Sequence, residues 1–233
     1  MFKPVAATLL ALAMSFGALP AAAQDREAEA FTAEESQAPV KLPLRVEMDQ
    51  SVDRENILLL DLSNGRRVAI RLMPEWAPSH VERIKELARQ GFYDGVIFHR
   101  VIDGFMAQTG DPTGTGQGGS QLPDLAAEFN PMPHVRGTVS MARAQAEDSA
   151  NSQFFIVFYP RFALDKNYTN FGRVIAGMDA VDAIQRGEPP ANPTRILQAS
   201  IAADNKAQVM PGAARSLAAG DITADMLSNS ASD

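Results

Sequence analysis

The chain has 233 residues, 45% of them hydrophobic and 21% charged, which is room for one sizeable globular domain with tails. A formal charge of −7 and a pI near 5.0 exclude nucleic acid as the main partner, because phosphate binding needs a basic face. The absence of cysteine excludes disulfides, thiol nucleophiles, thiolate metal sites and a lipid-anchoring cysteine. His80, His99 and His134 form no H-x-x-x-H pair, so no metal site is expected.

Residues 1–23 read as a cleavable export signal. Lys3 supplies the positive start, Val5 to Leu19 is almost wholly apolar or small, and Ala21-Ala22-Ala23 fits the small-residue cleavage rule. The apolar run falls short of the ~20 residues that a bilayer crossing needs, so no stable membrane insertion is expected after cleavage. The predicted destination is the periplasm or the outside of the cell. Residues 24–55 read as an acidic linker. Asp25, Glu27, Glu29, Glu34 and Glu35 crowd a stretch with little apolar content, and Pro39 and Pro43 suit an extended tether.

Periodicity begins near Asn56. Ile57 to Leu62 is an apolar run, Ser63-Asn64-Gly65 is a turn signal, and Arg67 to Leu72 alternates, which predicts a β-hairpin. Val68, Ile70 and Leu72 share one face; Arg67, Ala69 and Arg71 share the other. Pro78-Ser79 opens a helix carrying Val81, Ile84, Leu87 and Ala88, and Gly91 caps it. A strand is predicted over 95–102. Residues 103–136 are rich in Gly and Pro and read as a long loop, of the kind that is usually functional. Strands follow at 137–142, 153–158 and 170–175. A helix with Met178, Val181 and Ile184 ends at Gly187, and a last strand is expected at about 195–202. Short strands with only two helices suggest an antiparallel β-barrel covered at its ends. Residues 205–233 are small and polar and read as a disordered tail, with a weakly helical patch at 213–227.

Gly114-Thr115-Gly116-Gln117-Gly118-Gly119 matches G-x-G-x-x-G, but Asp111-Pro112 before it and a polar loop after it exclude the βαβ context a nucleotide site needs. No serine sits in a G-x-S-x-G elbow. Asp103, Asp111, Asp124 and Glu128 read as solvated loop carboxylates. The stretch from Phe98 to Asp111 is different. Arg100 has the strand parity of Phe98 and Ile102, so it is placed on a largely apolar face, where a cation must be paired or serve a site. Phe105, Met106 and Gln108 follow closely. Ser152 to Phe158 puts Phe155 and Gln153 on one face, with Phe154, Ile156 and Phe158 on the other. These residues alone leave two readings open: an apolar pocket edged by a guanidinium and two amides, or a satisfied core arginine among ordinary core aromatics.

Residues 98–111 match throughout the pattern F-H-R-x-x-x-G-F-M-x-Q-x-G-D. Thr113–Ser120, Ser140-Met141-Ala142, Ser152 to Ile156, Leu164-Asp165 and Phe171-Gly172 then appear in order. In these motifs, over about residues 56–204, the chain resembles the cyclophilin family of peptidyl-prolyl cis/trans isomerases. The resemblance implies a mainly β fold, an eight-stranded antiparallel β-barrel capped by two α-helices. It also implies a cofactor-independent isomerase acting on proline-containing polypeptides; nothing in the sequence argues against a monomer. Carried over by position, Arg100 is the catalytic residue. Phe105, Met106, Phe155 and Leu164 form the proline pocket, Gln108 and Gln153 hold substrate backbone, and Gly116, Ala142 and Tyr168 border the groove. Departures are Ala163 where many members have Trp, Tyr168 where eukaryotic members have His, and Arg143 where Asn is usual. The first weakens expected binding of cyclosporin, and the last bears on the residue before proline. A proline-binding module with little turnover, or a chaperone using the tails, is the alternative.

Overall fold

The hairpin forms around the Asn-Gly signal. β1 (Ile57–Leu62) and β2 (Arg67–Leu72) pair antiparallel with Leu60 opposite Val68. Leu62 N–H donates to the Arg66 carbonyl and Gly65 N–H to the Leu62 carbonyl, both at 2.9 Å, with Gly65 at φ +81°. This is a three-residue loop whose last residue is left-handed, a conformation glycine takes without a Cβ clash. The computed structural model describes residues 42–212. The expected export signal, the first part of the acidic stretch and residues 213–233 lie outside the described residues.

After the hairpin come α1 (Pro78–Arg89), β3 (Arg100–Ile102), β4 (Met106–Thr109), β5 (Thr138–Met141), β6 (Phe154–Val157), β7 (Asn170–Ala176), α2 (Met178–Asp182) and β8 (Ile196–Ile201). They form one antiparallel sheet in the order β3-β4-β6-β5-β7-β2-β1-β8. The sheet curls so that its edges meet. Residues 95–98, just before β3, bond to residues 194–196 at the start of β8: Gly95 N–H to Ile196 O at 2.7 Å and Phe98 N–H to Thr194 O at 2.9 Å. The barrel interior is filled by Leu58, Leu60, Val68, Ile70, Val139, Phe154, Ile156 and Phe171 among others. Tyr93, Phe154 and Phe171 meet edge to face, at 5.6 Å and 6.2 Å between centroids. The buried Tyr93 hydroxyl donates to the Ser152 carbonyl at 3.1 Å, so its polar tip is satisfied. No helix among the described residues is long and apolar enough to cross a membrane.

Several elements depart from the pattern reading. β4 lies inside the predicted loop, because Met106 and Ala107 are both buried, on opposite faces, and leave no alternation to see. α2 has five residues and stops before Ile184. The strand parity drawn through Phe98, Arg100 and Ile102 fails. Phe98 and Val101 share the main core, whereas Ile102 packs in a separate cluster, because the chain becomes a regular strand only at Arg100.

The outer face of the hairpin is covered as well. Arg71 donates to the backbone carbonyls of Glu47 (3.1 Å), Asp49 (2.7 Å), Val52 (2.9 Å) and Asp53 (2.8 Å). Leu42 and Val46 pack on Met73, Trp76 and Met132, and the Trp76 indole N–H donates to the Pro43 carbonyl at 2.9 Å. Residues 42–53, read from the sequence as part of the linker, are thus anchored to the domain. The acidic composition of the stretch hid these few anchors. On the other side, Val209 N–H donates to Asp61 at 2.8 Å, which lays residues just past β8 along β1.

Candidate functional site

Strand register builds the site. Arg100 on β3 stands opposite Gln108 on β4, Gln108 opposite Phe155 on β6, and Phe155 opposite Ser140 on β5. Directly opposed residues share a face, so Arg100, Gln108 and Phe155 form a row across the barrel's outer surface. Their neighbours two residues along, Ile102, Met106 and Val157, continue it. Met106, Ala142, Phe155 and Val157 form a second apolar cluster, packed against Ile102, Phe105, Leu164 and Tyr168 and separate from the main core.

A cavity of about 590 Å³ opens over this row. It is lined by nine of the ten residues singled out from the sequence: Arg100, Phe105, Met106, Gln108, Gly116, Ala142, Phe155, Leu164 and Tyr168. The tenth, Gln153, lines a second cavity of about 520 Å³ that shares Gln108, Gly116, Ala142 and Arg143 with the first. Gln108 Nε2 donates to Gln153 Oε1 at 2.9 Å. Gln153 Nε2 donates to the carbonyls of Gly118 (2.8 Å) and Gly116 (3.1 Å). The two amides therefore hold each other and the glycine loop in place.

That loop is organised by Asp111. Its carboxylate accepts from the Thr113 N–H and hydroxyl (both 2.8 Å), Gly116 N–H (2.6 Å) and Gly118 N–H (3.1 Å). Burial alone would raise its pKa. Hydrogen bonds from Thr113, Gly118 and Gly116 outweigh burial and hold the carboxyl down to about 2. A Cβ on Gly118 would collide with this carboxylate, so the glycines serve close backbone approach rather than phosphate binding. Of the other acids read as solvated, Asp103 and Asp124 are exposed as expected and only Glu128 is half-buried. Glu128 accepts from the N–H groups of Ser79 (3.1 Å) and His80 (3.2 Å), capping α1 from a distant loop. Asp124 accepts from Asn151 at 2.9 Å, and Asp103 pairs with Arg186 at 3.2 Å on the surface.

Asp165, His134 and Ser140 stand in the order of a hydrolase triad, at 2.8 Å from Asp165 to Nδ1 and 3.0 Å from Nε2 to the serine hydroxyl. Ser140 is fully buried, so no scissile carbonyl can approach it. Burial pushes His134 below the usual histidine range despite the Asp165 partner, which favours the neutral ring. With Asp165 accepting from Nδ1, the network assigns the proton to that nitrogen. The ring lies beside Phe155, 6.4 Å between centroids, and Asp165 follows Leu164. The trio thus braces two walls of the cavity.

The catalytic candidate is half-exposed. Arg100 Nε donates to Glu188 at 3.0 Å. Glu188 and Pro189, in the turn after α2, line the cavity beside it, as do His99 and Arg143. The sequence reading missed Glu188, because its run Gly187-Glu188-Pro189-Pro190 signals only a helix end. Among the described residues no three His, Cys, Asp or Glu side chains gather as a metal site.

A family model described as cyclophilin type peptidyl-prolyl cis-trans isomerase matches residues 58–201. A probable peptidyl-prolyl cis-trans isomerase of Brucella suis is 49% identical over 177 residues, 69% of this chain and 90% of that protein. Peptidyl-prolyl cis-trans isomerase B of Bacillus subtilis is 42% identical over 128 residues, 54% of this chain and 89% of that one. Among solved structures, cyclophilin AquaCyp293 from Hirschia baltica superposes with a TM-score of 0.61 at 30% identity, covering 66% of this chain and 76% of its own. A Cryptosporidium parvum cyclophilin-type isomerase, crystallised with the dipeptide Ala-Pro, gives 0.58 at 28% identity, covering 62% and 98%.

Proposed function

The chain belongs to the cyclophilin-type peptidyl-prolyl cis/trans isomerases, and from that premise we propose that it turns X-Pro bonds in polypeptides exported alongside it, with Arg100 as the catalytic residue. The observation that carries the assignment of roles is the row of Arg100, Gln108 and Phe155 beneath an apolar recess of Phe105, Met106 and Leu164.

An X-Pro amide is held planar by resonance, with a rotation barrier of about 18–20 kcal/mol. Midway through rotation conjugation is lost, and the prolyl nitrogen becomes pyramidal and gains a lone pair. Arg100 stays protonated and presents fixed donors. A bond from its guanidinium to that lone pair, or to the turning carbonyl, strengthens only in the twisted state, which is what acceleration requires. The recess holds the proline ring while the preceding carbonyl turns. The Gln108 and Gln153 amides fix the flanking backbone. A gain of ~10⁵ in rate corresponds to about 7 kcal/mol of differential binding. No covalent bond is made or broken.

Export is supported by Lys3, the apolar run to Leu19 and Ala21-Ala22-Ala23. The intact mass of protein recovered from a periplasmic fraction should begin at Gln24; a full-length chain retained in the cytoplasm would overturn this part. Catalysis is tested by cis-to-trans conversion of an Ala-Pro peptide. Wild type should accelerate exchange beyond the uncatalysed tens to hundreds of seconds. Saturable binding without acceleration would make the domain a proline-binding module instead. Assistance to folding is tested on an exported protein with a proline-limited refolding phase, which catalytic amounts should shorten.

A further inference from the structure

Two charged side chains flank the proline recess without a part in bond rotation, Glu188 on the Arg100 side and Arg143 on the Ala142 side. Their charges are compensated differently. Arg143 donates Nε and Nη2 to the Asn167 carbonyl (3.2 and 3.0 Å) and Nη1 to the carbonyls of Ala144 and Gln145 (3.1 Å each). Its guanidinium also lies over the Tyr168 ring, 4.8 Å from the centroid. Every partner is neutral, so the side chain is fixed while its positive charge stays unbalanced. Arg100 is faced by a carboxylate instead, through Nε alone. Its two Nη groups have no hydrogen-bond partner among the described residues and remain open to the cavity. Glu188 is the one carboxylate among the described residues lining this cavity, and burial pushes the neighbouring His99 toward its neutral form.

We infer that Glu188 and Arg143 give the groove a charge polarity that selects substrates. An acidic side chain next to the proline is favoured on the Arg143 side and disfavoured on the Arg100 side, where Glu188 already faces the guanidinium. The physical reason concerns both ends. On the Arg143 side a substrate carboxylate meets an uncompensated, immobilised cation. On the Arg100 side it would sit beside Glu188, whose like charge repels it and already balances the guanidinium. Both Arg100 and Glu188 are substantially exposed, at 43% and 52% of the side chain, so the effect is modest. The selection rests on the isomerase reading only where it is measured as turnover.

The test uses four peptides with Glu or Lys either immediately before or immediately after the proline. The Glu-to-Lys ratio of kcat/KM is taken at low and high salt. Wild type should give a ratio above one in one series and below one in the other, roughly two- to fivefold each at low salt and shrinking at high salt. Glu188→Gln should raise the low ratio to one or above and leave the high ratio. Arg143→Gln should bring the high ratio to about one and leave the low one. Ratios on the same side of one in both series, or ratios that ignore the matching variant, would overturn the polarity. The four Kd values, measured by titration, report the same polarity if turnover is absent. A failed isomerase reading and a failed polarity are therefore told apart.

Discussion

Two arginines, each on the outer face of a strand, show how this barrel separates support from chemistry. Arg71 on β2 keeps only 3% of its side chain exposed and spends its donors on four backbone carbonyls of the segment that wraps it. Arg100 on β3 keeps 43% exposed and makes one hydrogen bond, to Glu188, among the described residues. A cation buried with its donors spent fixes the chain that supplies the carbonyls. A cation held at one edge, with its remaining donors facing an apolar recess, is free to meet a charge that develops in a substrate. Exposure and unspent hydrogen-bonding capacity separate the two; residue type and strand parity do not.

The sharpest way to break this contrast is Arg71→Ala. It would leave several carbonyls without their partner, and about 3–5 kcal/mol of stability should be lost. The urea midpoint should fall well below that of the parent, and a truncation starting at Asn56 should show a similar loss. An unchanged midpoint would mean that the wrapping segment contributes little.

Next comes Asp111→Asn, which keeps the shape but removes the charge that gathers the glycine loop. The carboxyl is held at about 2 against an ordinary 3.8. At about 1.4 kcal/mol for each tenfold change in proton affinity this corresponds to about 2–3 kcal/mol, and KM should rise as the loop beside Gln153 loosens. The sign of the pH dependence follows from the same shift. Because the folded pKa is depressed, the unfolded chain takes up the proton first. Stability from Asp111 is full above about pH 4 and is lost as pH falls toward 2. A parent and Asp111→Asn pair whose stabilities fall in parallel over this window would contradict it.

A smaller effect lies at milder pH. His80, His99 and His134 are all pushed below the ordinary 6.5 by burial. Their neutral rings fit the fold, whereas the unfolded chain binds protons from about pH 6.5 downward. Stability should therefore be level above pH 7 and decline as pH falls below 6.5. Chemical denaturation at pH 7.5 and 5.5 checks this, and a higher midpoint at 5.5 would be inconsistent with buried neutral histidines.

The sequence made Arg100, Phe105, Met106 and Gln108 legible together because β3, its turn and β4 are contiguous, so one hairpin carries four of the cavity's lining residues in one short run. Phe155 was legible from alternation in β6. What stayed hidden depends on contacts between distant segments. Glu188 reaches Arg100 from the turn after α2, and the anchors at residues 42–53 answer to Arg71 and Trp76 rather than to any periodicity of their own. Asp111 looked like a solvated loop acid because its hydrogen-bond donors come from a loop with no pattern. The hairpin, α1 and most strands were readable from local turn chemistry and apolar spacing. β4 was not, because both of its faces are covered.

The central claim is tested most directly by the catalysed cis-to-trans rate of an Ala-Pro peptide for the parent and Arg100→Ala, each corrected for its folded fraction. The open, singly bonded Arg100 predicts a loss of about 10²–10³ in kcat/KM with a urea midpoint close to the parent's. Full activity in Arg100→Ala would contradict it and place Arg100 beside Arg71 as a structural residue.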